Sequence, residues 1–437
     1  MLASRLCIAI IGLLAVAPAV LGARAFADDA DTCTRASAPV AERLDACTRE
    51  IESGLPQGAD LANAYLGRGI AHRARGENDD AVADYGEAIR LDPGNVMAYT
   101  ARGGVYLGAG DLERALADYN EVIRINPSLP FGFYNRGNAY ARNGDYDRAI
   151  VDFDEAIRID PTFIMPRLAR GSALAAKGNL DDAIANYGAV IEIDPNTAKA
   201  YSNRALVYGT KHDYDHAIAD YTEAIRLVPD DMLAYYTRGL AYYAKGDIDR
   251  AIADYDNVIR LDPNFVDGYN NRGRAYVAKR DLDSAIADYT QVIRLDPSLV
   301  FAYDNRGLAY YAKRDLARAI ADFSQAIEID PEYASAYNNR GNAYDDAGDH
   351  DRAIADYGEA IRLDASDTEV YYNRGVAYAA KGDFDHAIAD FNAAIGLDPK
   401  LAFAYFSRGL ARRAQGDTAG AAADIAKAKE LNPNLGR

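Results

Sequence analysis

The sequence predicts an all-α fold, an α-solenoid of eleven 34-residue helix-turn-helix repeats, on three observations. Proline recurs at Pro93, Pro127, Pro161, Pro195, Pro229, Pro263, Pro297, Pro331, Pro399 and Pro433, every interval a multiple of 34 residues, with Ala365 in the one vacant slot. Between these stops the apolar residues fall three or four positions apart, the spacing that lines one face of an α-helix. An alanine opens the second half of all eleven copies, from Ala81 and Ala115 through Ala387 to Ala421. A two-helix hairpin of this size cannot bury its apolar stripes alone, so neighbours must stack.

One copy, Tyr269 to Pro297, shows how each element arises. Tyr269, Gly273 and Tyr276 lie on one face of a first helix. Around position 280 most copies carry a Gly-Asp pair, such as Gly246-Asp247 and Gly382-Asp383. The glycine suits the left-handed conformation that ends a helix, and the aspartate suits the cap that starts the next. A second helix then places Ala285, Tyr289 and Val292 on its inner face, and Asp296-Pro297 stops it, because proline cannot extend a helix. Glycine follows the arginine of every first helix except where Ala205 stands, which implies close helix approach. At Ala365-Ser366 the stop is missing, and the preceding helix is expected to run on by a turn.

The pattern Tyr269, Gly273, Tyr276, Ala285, Tyr289, Val292 and Pro297 resembles the tetratricopeptide repeat family, over residues 60–435 or about six-sevenths of the chain. The resemblance implies a right-handed superhelix whose first helices line a concave binding face. One departure is systematic: where the family usually places leucine before the glycine, every copy here has arginine, from Arg68 to Arg408. Ten of eleven copies also carry an aspartate just before the second-helix aromatic, Asn186 being the exception. A guanidinium matches a carboxylate in two parallel hydrogen bonds, so Arg272 and Asp288 are expected to form one rung of a structural ladder between paired helices. An anion-binding row of arginines is the rival reading.

Ahead of the repeats, Arg5, the apolar run Leu6 to Val16, Pro18 and Ala25-Phe26-Ala27 read as a bacterial secretory leader over residues 1–27, cleaved after Ala27. An uncleaved anchor is the competing reading. Residues 28–59 then form an N-terminal capping segment with one helix, in which Leu44, Cys47 and Ile51 keep helical spacing. In an exported chain Cys33 and Cys47 are read as one structural disulfide, with free-thiol or metal use as the alternative. The expected location is periplasmic or secreted, with no membrane insertion once the leader is gone. Loss of Arg5 and Arg24 with the leader takes the net charge from −18 to −20, since residues 1–27 hold no carboxylate. Such a surface repels nucleic acid and anionic membrane, so no nucleic-acid partner is expected.

Nothing in the sequence supports an enzyme, a cofactor or a metal. The five histidines are His72, His212, His216, His350 and His386, and none falls in a ligand set of suitable spacing. No phosphate-binding glycine loop, nucleophile elbow or HExxH motif is present. Function is therefore expected in the side chains that vary between first helices, which read Phe131, Tyr134, Tyr236, Leu240, Tyr243, Phe301, Leu308, Tyr311, Tyr372, Val376, Phe403 and Phe406. Beside them runs a series of amides, densest at Asn271, Asn305, Asn339 and Asn373. An asparagine offers donor and acceptor together, so a row of them can pair with the backbone of an extended polypeptide of any sequence. The expectation is a non-enzymatic scaffold that holds an extended segment of a protein partner, with Tyr236, Tyr243, Tyr311 and Tyr372 beside the amides. Two alternatives stand: amides that only bridge adjacent helices, and an interaction subunit of an envelope assembly or exopolysaccharide secretion machine.

Overall fold

The computed structural model describes residues 29–435. Every regular element among them is helical, with no strand. No helix among them is long and apolar enough to cross a membrane. The leader expected over residues 1–27 lies outside the described residues. The described residues divide into two compact bodies, the first ending at Val207 and the second beginning at Tyr208.

In the first body, residues 29–34 and Val40–Glu52 are helical, so the capping segment holds two helical stretches where the sequence suggested one. A disulfide joins Cys33 to Cys47, and the Arg49 guanidinium pairs with Asp29. Both tie the short stretch back onto the longer helix. The cap sits against the first helix of the first repeat, Ala59–Ala74. A methyl group at Gly67 would come within 3.0 Å of both cystine sulfurs. The first repeat thus carries a glycine where six of the ten later repeats carry an asparagine, because the cap occupies that space.

The remaining helices of this body alternate as the 34-residue period requires: Asn78–Leu91, Val96–Gly108 with Leu112–Ile125, Pro130–Arg142 with Tyr146–Ile159, and Ile164–Ala176 with Leu180–Ile193. Pro166 falls in the first turn of its helix, where no intrahelical donor is needed. The second body holds six complete repeats, whose first helices are Met232–Ala244, Val266–Lys279, Val300–Ala312, Ala334–Asp346, Thr368–Ala380 and Ala402–Ala414.

Aspartates such as Asp247, Asp281 and Asp315 cap the second helices by accepting the N–H three residues on. The residue just before the cap is left-handed: Gly246 at φ 80°, but also Arg280 at φ 65° and Arg314 at φ 62°. Where the first and second helices of a repeat meet, a methyl at Gly273 would come 2.8 Å from a ring carbon of Tyr289. That contact is why the slot must stay small.

The expectation of a longer helix before Ala365 is overturned. His350–Leu363 ends at the same register as its counterparts, and Asp364 is extended. The carboxylate of Asp364 accepts the Ser366 N–H at 2.9 Å and its hydroxyl at 2.6 Å. This side-chain turn ends the helix without help from proline.

Candidate protein-interaction surface

The arginines of the first helices are built into the scaffold, five of the six in the complete repeats of the second body from two sides. In the second body, Arg238, Arg272, Arg306, Arg340, Arg374 and Arg408 each donate from Nε and Nη2 to the aspartate sixteen residues on, at 2.6–2.9 Å. The receiving carboxylates, Asp288 among them, are buried. Nη1 turns the other way, to the second helix of the preceding repeat: Thr222 for Arg238, Asp256 for Arg272, Thr290 for Arg306 and Ser324 for Arg340. A tyrosine one turn earlier lies beneath the guanidinium, as Tyr269 does 5.6 Å from Arg272. The Asp322 hydrogen bonds hold the Arg306 guanidinium above its usual range. In the first body the same rungs join Arg68 to Asp84, Arg102 to Asp118 and Arg136 to Asp152, while Arg170 makes one bond to Asn186.

The amides lie at the seam between consecutive first helices. Asn271 donates to the Tyr236 hydroxyl at 3.0 Å, Asn305 to the Asn270 carbonyl at 3.3 Å, and Asn339 to Asp304 at 2.9 Å. Asn373 reaches the Asn342 carbonyl at 3.1 Å. Each therefore commits one N–H to the neighbouring repeat. Asn271 also accepts from Arg274 at 3.3 Å, so its carbonyl is engaged as well. Asp304 is buried with Asn339 and the Tyr333 hydroxyl as its partners, and burial holds its carboxyl above the usual range.

The sequence-derived aromatics divide. Tyr236 is wedged between Tyr255 and Phe265, and Tyr372 packs on Phe391. Tyr311 donates to Asp346 at 2.8 Å, and burial together with that carboxylate pushes its hydroxyl up to about 12. Tyr243 instead lines a recess of 260 Å³ shared with Arg274, Val277, Leu282, Tyr289, Asn305 and Leu308. Sequence reasoning missed Arg274. Its signal was available: of the eleven residues directly after the small residue of the first helix, it is the one that carries charge.

One group of potential metal ligands occurs among the described residues. His72, Glu77 and Asp80 bring ligand atoms within 4.8 Å of one another. His72 Nδ1 and Glu77 already share a 2.7 Å hydrogen bond, and the other Glu77 oxygen takes Arg75 at 3.1 Å.

Helix pairs stacked through these rungs and seams define a helical-repeat scaffold. Models of the family agree: the TPR repeat model matches residues 171–212, 211–246, 239–279, 273–314, 307–348 and 341–382, and tetratricopeptide repeat models match 66–130, 130–163 and 368–401. The chain belongs to the tetratricopeptide repeat family. Proteins of this family bind protein partners, and no enzyme family is among these matches. No curated protein matches the chain.

Several solved structures are similar to it. The MamA protein is 31% identical over 39% of this chain and 94% of its own, with a TM-score of 0.36. YrrB, described as a TPR protein with an unusual peptide-binding site, is 26% identical over 45% of this chain and 98% of its own, with a TM-score of 0.36. The C-terminal part of a TPR repeat-containing protein from Cytophaga hutchinsonii is 22% identical over 54% and 97%, with a TM-score of 0.49.

Proposed function

We propose that this protein is a non-enzymatic scaffold, exported to the periplasm or secreted, which holds an extended segment of a partner protein along its first helices. The observation that carries the reading is the uncovered apolar row on those helices in the second body. Leu240, Val277 and Leu308 are 37%, 40% and 40% exposed, and Val277 and Leu308 line the open recess under Tyr243. Apolar side chains aligned in successive repeats offer contact area in register with an extended chain. Tyrosine adds area at modest entropic cost, and the remaining amide N–H of Asn305 is available to a peptide carbonyl. Export is supported by the leader-like start of the sequence and by the Cys33–Cys47 disulfide.

The test replaces Asn305 with alanine and Leu308 with serine, then measures melting and partner capture separately. Capture from periplasmic extract, read by mass spectrometry, is expected to fall about tenfold with melting nearly unchanged, since one hydrogen bond and one exposed contact are worth about 1.4 kcal/mol together. A large fall in melting temperature with capture retained would assign Asn305 to the scaffold instead.

A further inference from the structure

We propose that the recess between the first helices of the sixth, seventh and eighth repeats takes an acidic side chain, with an aliphatic neighbour, from the bound segment. The inference rests on the polypeptide-binding reading above. It begins with Arg274. Every ladder arginine of the complete repeats in this body grips a carboxylate, whereas Arg274 has none within 4.0 Å among the described residues. Its contacts are the Tyr243 ring, 5.5 Å away, and the Asn271 carbonyl at 3.3 Å. Arg274 is exposed beside the recess, and in a chain of net charge −18 no carboxylate is among the residues that line it.

The second observation is the hydroxyl of Tyr289. Tyr289 is 2% exposed and lines the recess, yet its hydroxyl has no hydrogen-bond partner among the described residues. Where an asparagine or serine stands opposite a tyrosine in the slot that Arg274 fills, it meets the equivalent hydroxyl, whereas Tyr85 opposite Ile70 is likewise left without a partner. Tyr357 donates to Asn342 at 2.7 Å, and Tyr187 meets the Ser172 hydroxyl at 3.0 Å. A guanidinium has no acceptor to offer, so replacing asparagine or serine by arginine leaves the tyrosine donor idle.

The recess therefore holds donors in surplus: the Arg274 guanidinium, the Tyr289 hydroxyl and the second N–H of Asn305. A carboxylate supplies the acceptors they lack, and hydrogen bonds to an ionised acceptor are the strong ones. Val277, Leu282 and Leu308 form the rest of the wall, which suits a methylene stem and a neighbouring leucine. The sign of the inference matters, because the net charge alone would favour a cationic partner.

The probes are three labelled dodecapeptides of leucine alternating with glutamate, glutamine or lysine, titrated by fluorescence anisotropy against the full chain at physiological ionic strength. The leucine–glutamate peptide is expected to bind about tenfold more tightly than the glutamine peptide, a difference of about 1.4 kcal/mol. Arg274→Gln is expected to abolish that preference without changing the melt. Tyr289→Phe is a second variant that the fold accommodates, since Phe153, Phe323 and Phe391 fill the same slot. It is expected to weaken the glutamate peptide severalfold and leave the glutamine peptide unchanged. Equal or tighter binding of the glutamine or lysine peptide, or a glutamate preference that survives both substitutions, would overturn the acidic occupant while the polypeptide-binding reading stands. If no peptide binds at all, both fall.

Discussion

Arg280 sits with φ 65° at the residue where most repeats place glycine. An L-residue with a Cβ pays roughly 1–2 kcal/mol there, because the Cβ crowds the following carbonyl. The neighbouring contacts hold it in place: its N–H bonds the Val277 carbonyl at 2.9 Å, and the Asp281 cap follows directly. No ion pair of Arg280 occurs among the described residues. Arg280→Gly is therefore expected to stabilise the second body by about 1 kcal/mol, partly offset by the greater freedom of glycine in the unfolded chain. Thermal melts of the two proteins side by side check this, and an unchanged or lower melting temperature would contradict it. The strain belongs to single residues, since the same turn is relaxed at Gly246 and Gly348.

At the scale of the helix pair, the Arg–Asp rung takes the place of an apolar contact. Arg272 joins its own second helix through Asp288 and the preceding one through Asp256, so one side chain fastens three helices. Removing only the cation strands a buried carboxylate, and Arg272→Met is expected to destabilise by about 3–5 kcal/mol. Removing both charges in Arg272→Met with Asp288→Leu should recover most of that loss, because an apolar pair of similar volume needs no desolvated ion. Chemical denaturation of the two variants is the check. If the single substitution left stability intact and abolished partner capture, the arginines would belong to an anion-binding row.

Over the whole molecule the aspartate caps add up to a pH response. Asp111, Asp145, Asp213, Asp247, Asp281, Asp315, Asp349 and Asp383 each accept from the N–H or side chain of the residue three on, and these hydrogen bonds hold the carboxyls below the ordinary value of 3.8. A group whose folded value is lowered binds its proton more readily when unfolded. Its stabilisation is present above the ordinary value and is lost as pH falls through the folded one. The chain is thus expected to keep its melting temperature down to about pH 4 and to lose it progressively below. Melts between neutral pH and pH 2 test this, with Asp281→Ala flattening the acid limb slightly. Added salt should blunt the response, because these contacts are exposed to solvent and screened.

The sequence by itself determined the helices, their pairing and their caps, because these depend on interactions within one repeat. The proline and alanine register gives the period, and the arginine sixteen residues before the aspartate gives the rung. Where local chemistry deviated, it still decided the outcome: Asp364 and Ser366 end a helix without proline. The interaction surface was legible only in part. Leu240, Tyr243, Asn305 and Leu308 could be placed on one face by spacing alone. The partners of the amides could not, since those of Asn271, Asn305 and Asn339 lie thirty-five residues back, across a seam that exists only once repeats stack. The same holds for the idle Tyr289 hydroxyl and the unpaired Arg274. Whether a donor is satisfied depends on which residue the neighbouring helix brings to it, and that is settled by packing rather than by the order of residues along the chain.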